Sequence, residues 1–212
     1  MKKLLTILCL VLLSSYSYSQ EVVTGPFLIR DGITYHQDTN ELVTGIVLVS
    51  HYSSDKPKSR TNYKNGKRDG LFWEYYDNGQ LYQRGNYIEG KQEGLWEGYY
   101  ENGQLQQKGN YKNGKEEGLH VEFHENGRLR NRENYIDGKR DGLYEEFHSN
   151  GQLSTRGNYI DGKTEYEEFH DNGQLYFRGN YIDGKRDGHL EYFDENGDLI
   201  ESREYKNGER IE

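Results

Sequence analysis

The sequence predicts an all-β protein: an elongated, single-layer antiparallel β-meander of tandem 24-residue hairpin repeats. Three observations predict it. Alanine, the best helix former, is absent from all 212 residues. The chain is rich in β-favouring aromatics, with 20 Tyr, 7 Phe and 2 Trp. Finally, three dipeptides recur on one period. Asn-Tyr begins at residues 62, 86, 110, 134, 158 and 180, Asn-Gly at 78, 102, 126, 150, 172 and 196, and Gly-Lys at 66, 90, 114, 138, 162 and 184. Independent markers holding one period define a repeat array.

The unit reads N-Y-x-x-G-K-x-x-G-L-x-x-x-(aromatic)-x-x-N-G-x-L-x-x-x-G. Residues 62–203 hold six units, five of 24 residues and one of 22. Asn-Gly between alternating segments signals a hairpin, so each unit reads as two strands. The Gly-Lys loop, as in Asp137-Gly138-Lys139-Arg140-Asp141-Gly142, makes the other reversal. About twelve strands at about 4.8 Å each give a ribbon roughly 60 Å long.

Two columns set the expected register. Tyr75, Tyr99, Phe123, Phe147, Phe169 and Phe193 mark the first strands; Leu81, Leu105, Leu129, Leu153, Leu175 and Leu199 mark the second. A three-residue loop, Asp77-Asn78-Gly79 with Gly left-handed, pairs Leu81 with Tyr75 and puts both columns on one face, the expected core. A one-residue slip would separate them. The same register sets Leu71 opposite Gly85. Glycines 85, 109, 157 and 179 would let a neighbouring ring lie flat. The other face presents Phe72, Trp96, His120, Tyr144, Tyr166 and Leu190, a mostly aromatic row expected either to bind a partner or to hold the sheet together by stacking.

The fifth unit departs from the pattern. After Lys163 it runs Thr164-Glu165-Tyr166, the Gly-Leu pair is missing, and a tighter loop with a local weak point or bend is expected. Residues 20–61 read as an N-terminal cap holding a degenerate repeat, whose Asn-Gly turn has become Ser53-Ser54-Asp55. Residues 204–212 read as a cap strand whose charges discourage edge-to-edge pairing.

Residues 1–19 read as a cleaved secretory signal: basic Lys2-Lys3, the apolar run Leu4 to Leu13, then Ser17 and Ser19 suited to a peptidase. Ten apolar residues are too few to span a bilayer, which needs about 20. Cleavage would remove Cys9, the one cysteine, and take the net charge from −9 to −11. Such a surface repels phosphates and anionic headgroups, which argues against nucleic acid and membrane insertion as partners.

The stretch Tyr135-Ile136-Asp137-Gly138-Lys139-Arg140-Asp141-Gly142 resembles the Y-x-x-G-K-x-x-G heart of MORN repeats. The added aromatic and N-G-x-L half resembles the bacterial MORN variant. The resemblance implies an elongated antiparallel meander serving as a scaffold. Many bacterial members resemble proteins grouped as YwqK-family antitoxins, which implies no catalytic residues.

The residues themselves show no catalytic constellation, and neither cofactor nor metal is expected. His124, His148 and His170 share a column, but neighbouring units lie about 10 Å apart. His120, Glu122 and His124 alternate onto one face, an arrangement that suits a metal or a solvated polar face. Glutamates recur without one distinct pair, and neither a G-x-S-x-G elbow nor a P-loop occurs. Lys67-Arg68, Lys139-Arg140 and Lys185-Arg186 are each followed by Asp, expected to neutralise them locally. The expected function is a non-enzymatic exported scaffold binding another protein through a sheet face. The alternatives are a glycan-binding surface module and an antitoxin or immunity protein.

Overall fold

The computed structural model describes residues 21–51 and 56–211. The expected signal segment and the turn Ser53-Ser54-Asp55 lie outside the described residues. The N-terminal part contributes β1 (Val22–Val23), β2 (Phe27–Arg30), β3 (Ile33–His36), β4 (Gly45–Ser50) and β5 (Pro57–Lys64). The repeats contribute β6 (Lys67–Tyr75), β7 (Leu81–Ile88), β8 (Lys91–Tyr99), β9 (Leu105–Lys112), β10 (Lys115–Phe123) and β11 (Leu129–Ile136). They continue with β12 (Lys139–Phe147), β13 (Leu153–Ile160), β14 (Lys163–Phe169), β15 (Leu175–Ile182), β16 (Lys185–Phe193), β17 (Leu199–Lys206) and β18 (Glu209–Arg210).

Sixteen strands form one sheet in which β4 to β18 follow chain order, each antiparallel to the next. β1 lies parallel on β4, and β2–β3 make a separate hairpin. That hairpin covers the first repeat turn: the Thr34 amide donates to the Gly66 carbonyl (2.8 Å), and the Gly66 amide donates to Val43 (2.7 Å). Val43 and the hairpin's own Thr34 are buried at this contact. At the far edge β18 is two charged residues, as a protected edge requires.

Two kinds of turn alternate. At Asn-Gly the expected three-residue loop forms. The Tyr76 amide donates to Gln80 (2.8 Å), the Gly79 amide donates back to Tyr76 (2.8 Å), and Gly79 takes φ 91°. Leu81 therefore pairs with Tyr75 as expected. At Gly-Lys the reversal is shorter than expected. Asp137 and Gly138 both take positive φ (51° and 79°), the signature of a two-residue type I′ turn. Pairing resumes at Lys139, so Arg140 to Gly142 belong to the strand.

One register shift reorganises everything between those turns. Between Glu74 and Tyr75 the ladder slips by one residue on β7, so Phe72, not Leu71, lies opposite Gly85. The shift recurs between Glu122 and Phe123, Glu146 and Phe147, Glu168 and Phe169, and Tyr192 and Phe193. A bulge of this kind changes which side chains face each other. It brings the Phe72 row and the glycine column onto one face.

That face is the core, which reverses the expected assignment of faces. Phe72 and Trp96 are 6% exposed, and Leu190 is fully buried. His120, Tyr144 and Tyr166 are half-buried. None of the twelve residues expected as core is buried: Tyr75, Tyr99, Phe123, Phe147, Phe169, Phe193, Leu81, Leu105, Leu129, Leu153 and Leu175 are half-buried, and Leu199 is exposed. They sit at the strand ends that flank the Asn-Gly turns.

The core is built by alternation of large and small. Gly85 lies between Phe72 and Trp96, whose ring centroids are 5.7 Å apart. A Cβ on Gly85 would come within 2.3 Å of the Trp96 ring, and one on Gly109 within 2.1 Å of the His120 ring. Tyrosines of the Asn-Tyr pairs seal the gaps edge-on: Tyr87 against Trp96 (5.0 Å), Tyr111 against His120 (5.3 Å), and Tyr135 against His120 (5.1 Å). In the third unit Glu133 replaces the glycine and is buried, receiving the Arg140 Nε hydrogen bond at 2.6 Å.

The short fifth unit has an ordinary turn at Asp161-Gly162 and continuous pairing, not the expected tight loop. In full-length units a two-residue excess interrupts the ladder: Glu117 pairs Asn110, and pairing next resumes at Val121 with Lys108. The deletion removes that excess and leaves β14 in unbroken register with β13.

These contacts fix three expectations. Trp96→Ala costs about 3–5 kcal/mol by urea unfolding, and Phe147→Ala costs less by at least about 1 kcal/mol, because its ring keeps solvent access; equal costs would contradict the assignment of faces. Gly85→Ala destabilises by about 1–3 kcal/mol, whereas Gly157→Ala, whose Cβ would meet its nearest neighbour at 3.5 Å, is milder. Burial, with Glu168 beside it, pushes the Tyr166 phenol from 10.0 up to about 12, and burial with a hydrogen bond to Glu146 pushes Tyr144 upward. Ionisation is harder folded than unfolded, so this stability is complete below about pH 10 and is lost as pH rises through about 12. Phenolate absorbance lagging behind that of free tyrosine, with unfolding in the same window, is the expected titration.

Candidate interaction surface

The row read as a possible contact ladder is mostly spent on the core. Trp96 Nε1 donates to the Asn86 carbonyl (3.2 Å), and His120 Nε2 bonds the Asn110 carbonyl (2.8 Å). With Phe72, Trp96 and Leu190 closed off, this face offers no continuous aromatic row to a sugar.

Two histidines of the column, with the tyrosines that precede them in the array, staple repeats together, while His148 Nε2 lies 3.6 Å from Asp171. Tyr76 Oη donates to the Tyr99 carbonyl and Tyr100 Oη to Phe123, both at 2.7 Å. His124 Nε2 takes the same position against Phe147 (2.8 Å), and His170 against Phe193 (3.0 Å). Each of these side chains therefore ties one unit to the backbone of the next. The acidic residues of the Gly-Lys segments do the same at the other end. Asp69 accepts from the Glu89 amide (3.1 Å), Glu93 from Asn113 (2.8 Å) and Glu117 from Asp137 (3.1 Å). Among the described residues no ion pair joins Arg68, Arg140 or Arg186 to the Asp that follows it, and Arg140 pairs with Glu133. Arg68, Arg140 and Arg186 instead lie over Tyr87, Tyr144 and Tyr205 at 5.2, 5.4 and 5.2 Å.

The opposite face is the open one. Each Gly-Leu pair occupies the two-residue excess, with Gly118 at φ 73° making the detour that L-residues resist. The leucine that follows points outward. Leu71, Leu95, Leu119 and Leu143 are 50%, 51%, 57% and 45% exposed, one per repeat. Each pairs with an asparagine on the next strand: Asn86, Asn110, Asn134 and Asn158. Ile88, Ile136 and Ile160 are exposed beside them. The result is an aliphatic ridge crossing the strands. Sequence reasoning wrote this leucine into the repeat formula but assigned it no role; the signal was its fixed place directly after a glycine.

Below the ridge runs a ladder of ion pairs. Arg84 Nε bonds Glu97 (2.6 Å) and Arg156 Nε bonds Glu167 (2.9 Å), while Arg132–Glu145 and Arg178–Glu191 continue the series. The guanidiniums also lie over the ring column, Arg84 on Tyr99 at 5.9 Å and Arg178 on Phe193 at 5.4 Å. These half-exposed pairs contribute little individually, but they fill the polar flank of the face with matched charge.

The ridge breaks at the fifth unit. Without its Gly-Leu pair the surface drops into a hollow of about 590 Å³ between Leu143 and His189. Its far wall is the Arg156–Glu167 and Arg178–Glu191 pairs. In its middle Glu165 lies between Asn158 and Asn180, exposed and with no ion pair among the described residues.

The model of the MORN repeat variant family matches residues 68–89, 92–113, 116–137, 140–161, 164–183 and 186–207. The 20-residue fifth match is the unit that carries the hollow. No curated protein matches the chain. MORN repeats typically serve as interaction scaffolds without catalytic machinery. Six tandem matches cover more than half of the chain and coincide with the hairpins of the sheet, so this protein belongs to the MORN repeat variant family.

Proposed function

We propose that this chain is an exported, non-enzymatic scaffold that binds another protein through the sheet face bearing the leucine ridge. The observation that carries the reading is the periodic exposure of Leu71, Leu95, Leu119 and Leu143 on a face whose flank carries the Arg84–Glu97, Arg132–Glu145, Arg156–Glu167 and Arg178–Glu191 pairs. An aliphatic row of this kind costs solubility, and its placement by a dedicated bulge in each of the first four units supports a role in contact. The core face, by contrast, has Phe72, Trp96 and Leu190 buried. A toxin would be one partner of this class, as the antitoxin alternative holds. Export rests on the basic start, the apolar run Leu4 to Leu13 and the polar segment after it.

Two measurements test this. The mature chain recovered from its native envelope or medium should begin near Gln20; a chain retained inside the cell with Met1 intact would refute export. Leu95→Glu with Leu119→Glu should change stability by no more than about 1 kcal/mol, because both sites are exposed. The same pair should abolish capture of the partner that the unaltered protein retains. Undiminished capture by the double variant would overturn the assignment of the face.

A further inference from the structure

The leucine ridge repeats every second strand, about 9.6 Å at ordinary sheet spacing. Seven residues of an α-helix advance about 10.5 Å. A helix lying across the strands therefore stays nearly in step with four successive leucines. The flank beside it is electrically closed, because Arg156 and Arg178 are each held by a glutamate. Glu165 is different. It occupies the centre of the hollow, its neighbours on both adjacent strands are neutral asparagines, and it has no ion pair among the described residues. The chain around it carries a net charge of −9. The open position on this face thus asks for a cation at the end of an apolar row.

Resting on the scaffold reading above, we propose that the ridge face takes a basic amphipathic helix of a partner protein, its apolar heptad positions on Leu71, Leu95, Leu119 and Leu143 and a lysine or arginine seated against Glu165 in the hollow. The 22-residue unit then acts as a register mark. Identical leucines would let a helix slide by one repeat at little cost, whereas one charged socket fixes a single alignment, as a lone polar position does in coiled coils. The Asn158 and Asn180 amides border the socket and can accept the remaining ammonium or guanidinium donors through their side-chain oxygens.

The test uses the full mature chain and a synthetic helix of about five leucine heptads, made with Lys, Ala or Glu at the position falling over Glu165. The Lys peptide should bind most tightly, with affinity falling as salt rises. Glu165→Lys should weaken the Lys peptide at least about tenfold and shift preference to the Glu peptide. Glu165→Gln, which preserves shape, should remove the preference without reversing it, and it serves if the charge reversal fails to fold. Equal binding of the three peptides, or no effect of either substitution, overturns the proposal. A captured partner lost with Leu119→Glu but kept with Glu165→Lys leaves the ridge as the binding face while refuting the charged socket. Self-association of the chain by sedimentation, lost with Leu119→Glu, would assign the ridge to a second copy and also overturn the proposal.

Discussion

A single-layer sheet has no second layer to bury its apolar side, and the whole structure follows from how that shortage is met. The solution is to let each strand act as the cover for the next. A large side chain on every first strand lies across a glycine or, once, a glutamate: Phe72, Trp96, Tyr144 and Tyr166 face a glycine on the second strand, His120 faces Glu133 there, and Leu190 faces Gly179 of the preceding unit. Tyr87, Tyr111, Tyr135 and Tyr181 of the Asn-Tyr pairs close the seam edge-on. Burial is achieved within one layer because the small residue gives the ring somewhere to lie. Neighbour-only contacts of this kind make stability a sum over units and their interfaces. The staples from Tyr76, Tyr100, His124 and His170 to the next unit's backbone supply part of each interface term.

Two irregularities, repeated faithfully, divide labour between the faces. The one-residue shift near Asn-Gly selects which row meets the glycines. The two-residue excess near Gly-Lys has the opposite effect, lifting a leucine out of the ladder on the other side. A regular ladder would have given one greasy face and one polar face. The bulged one gives a sealed aromatic face and an outer face on which a narrow aliphatic ridge runs beside paired charges. That combination suits a protein whose role is contact: the ridge supplies desolvation, and the ladder supplies specificity without a large net field.

The fifth unit shows how an array of equivalent sites acquires a position. Losing two residues costs nothing in strand pairing, because what is lost is the excess itself. What changes is local relief, from a ridge to a hollow, and local charge, from leucine to glutamate. One unit out of step with its neighbours converts a translationally repetitive surface into one with a beginning and an end.

Much of this protein was legible in its sequence. The period, the hairpin at each Asn-Gly, the pairing of Leu81 with Tyr75 and the ring-accommodating role of the glycines at 85 and 109 follow from local chemistry: left-handed φ, alternation, and the absence of a Cβ. The faces did not follow. Whether Phe72 or Tyr75 is buried depends on a single residue of slip between Glu74 and Tyr75, and period-2 alternation inverts every assignment beyond such a slip. The leucine after each Gly was given no role, because nothing in the residue itself says that its strand carries two residues more than its neighbour. Sequence set the unit and its turns, since those are properties of a few adjacent residues; only the assembled sheet decided inside from outside, since that is settled by how one strand counts against the next.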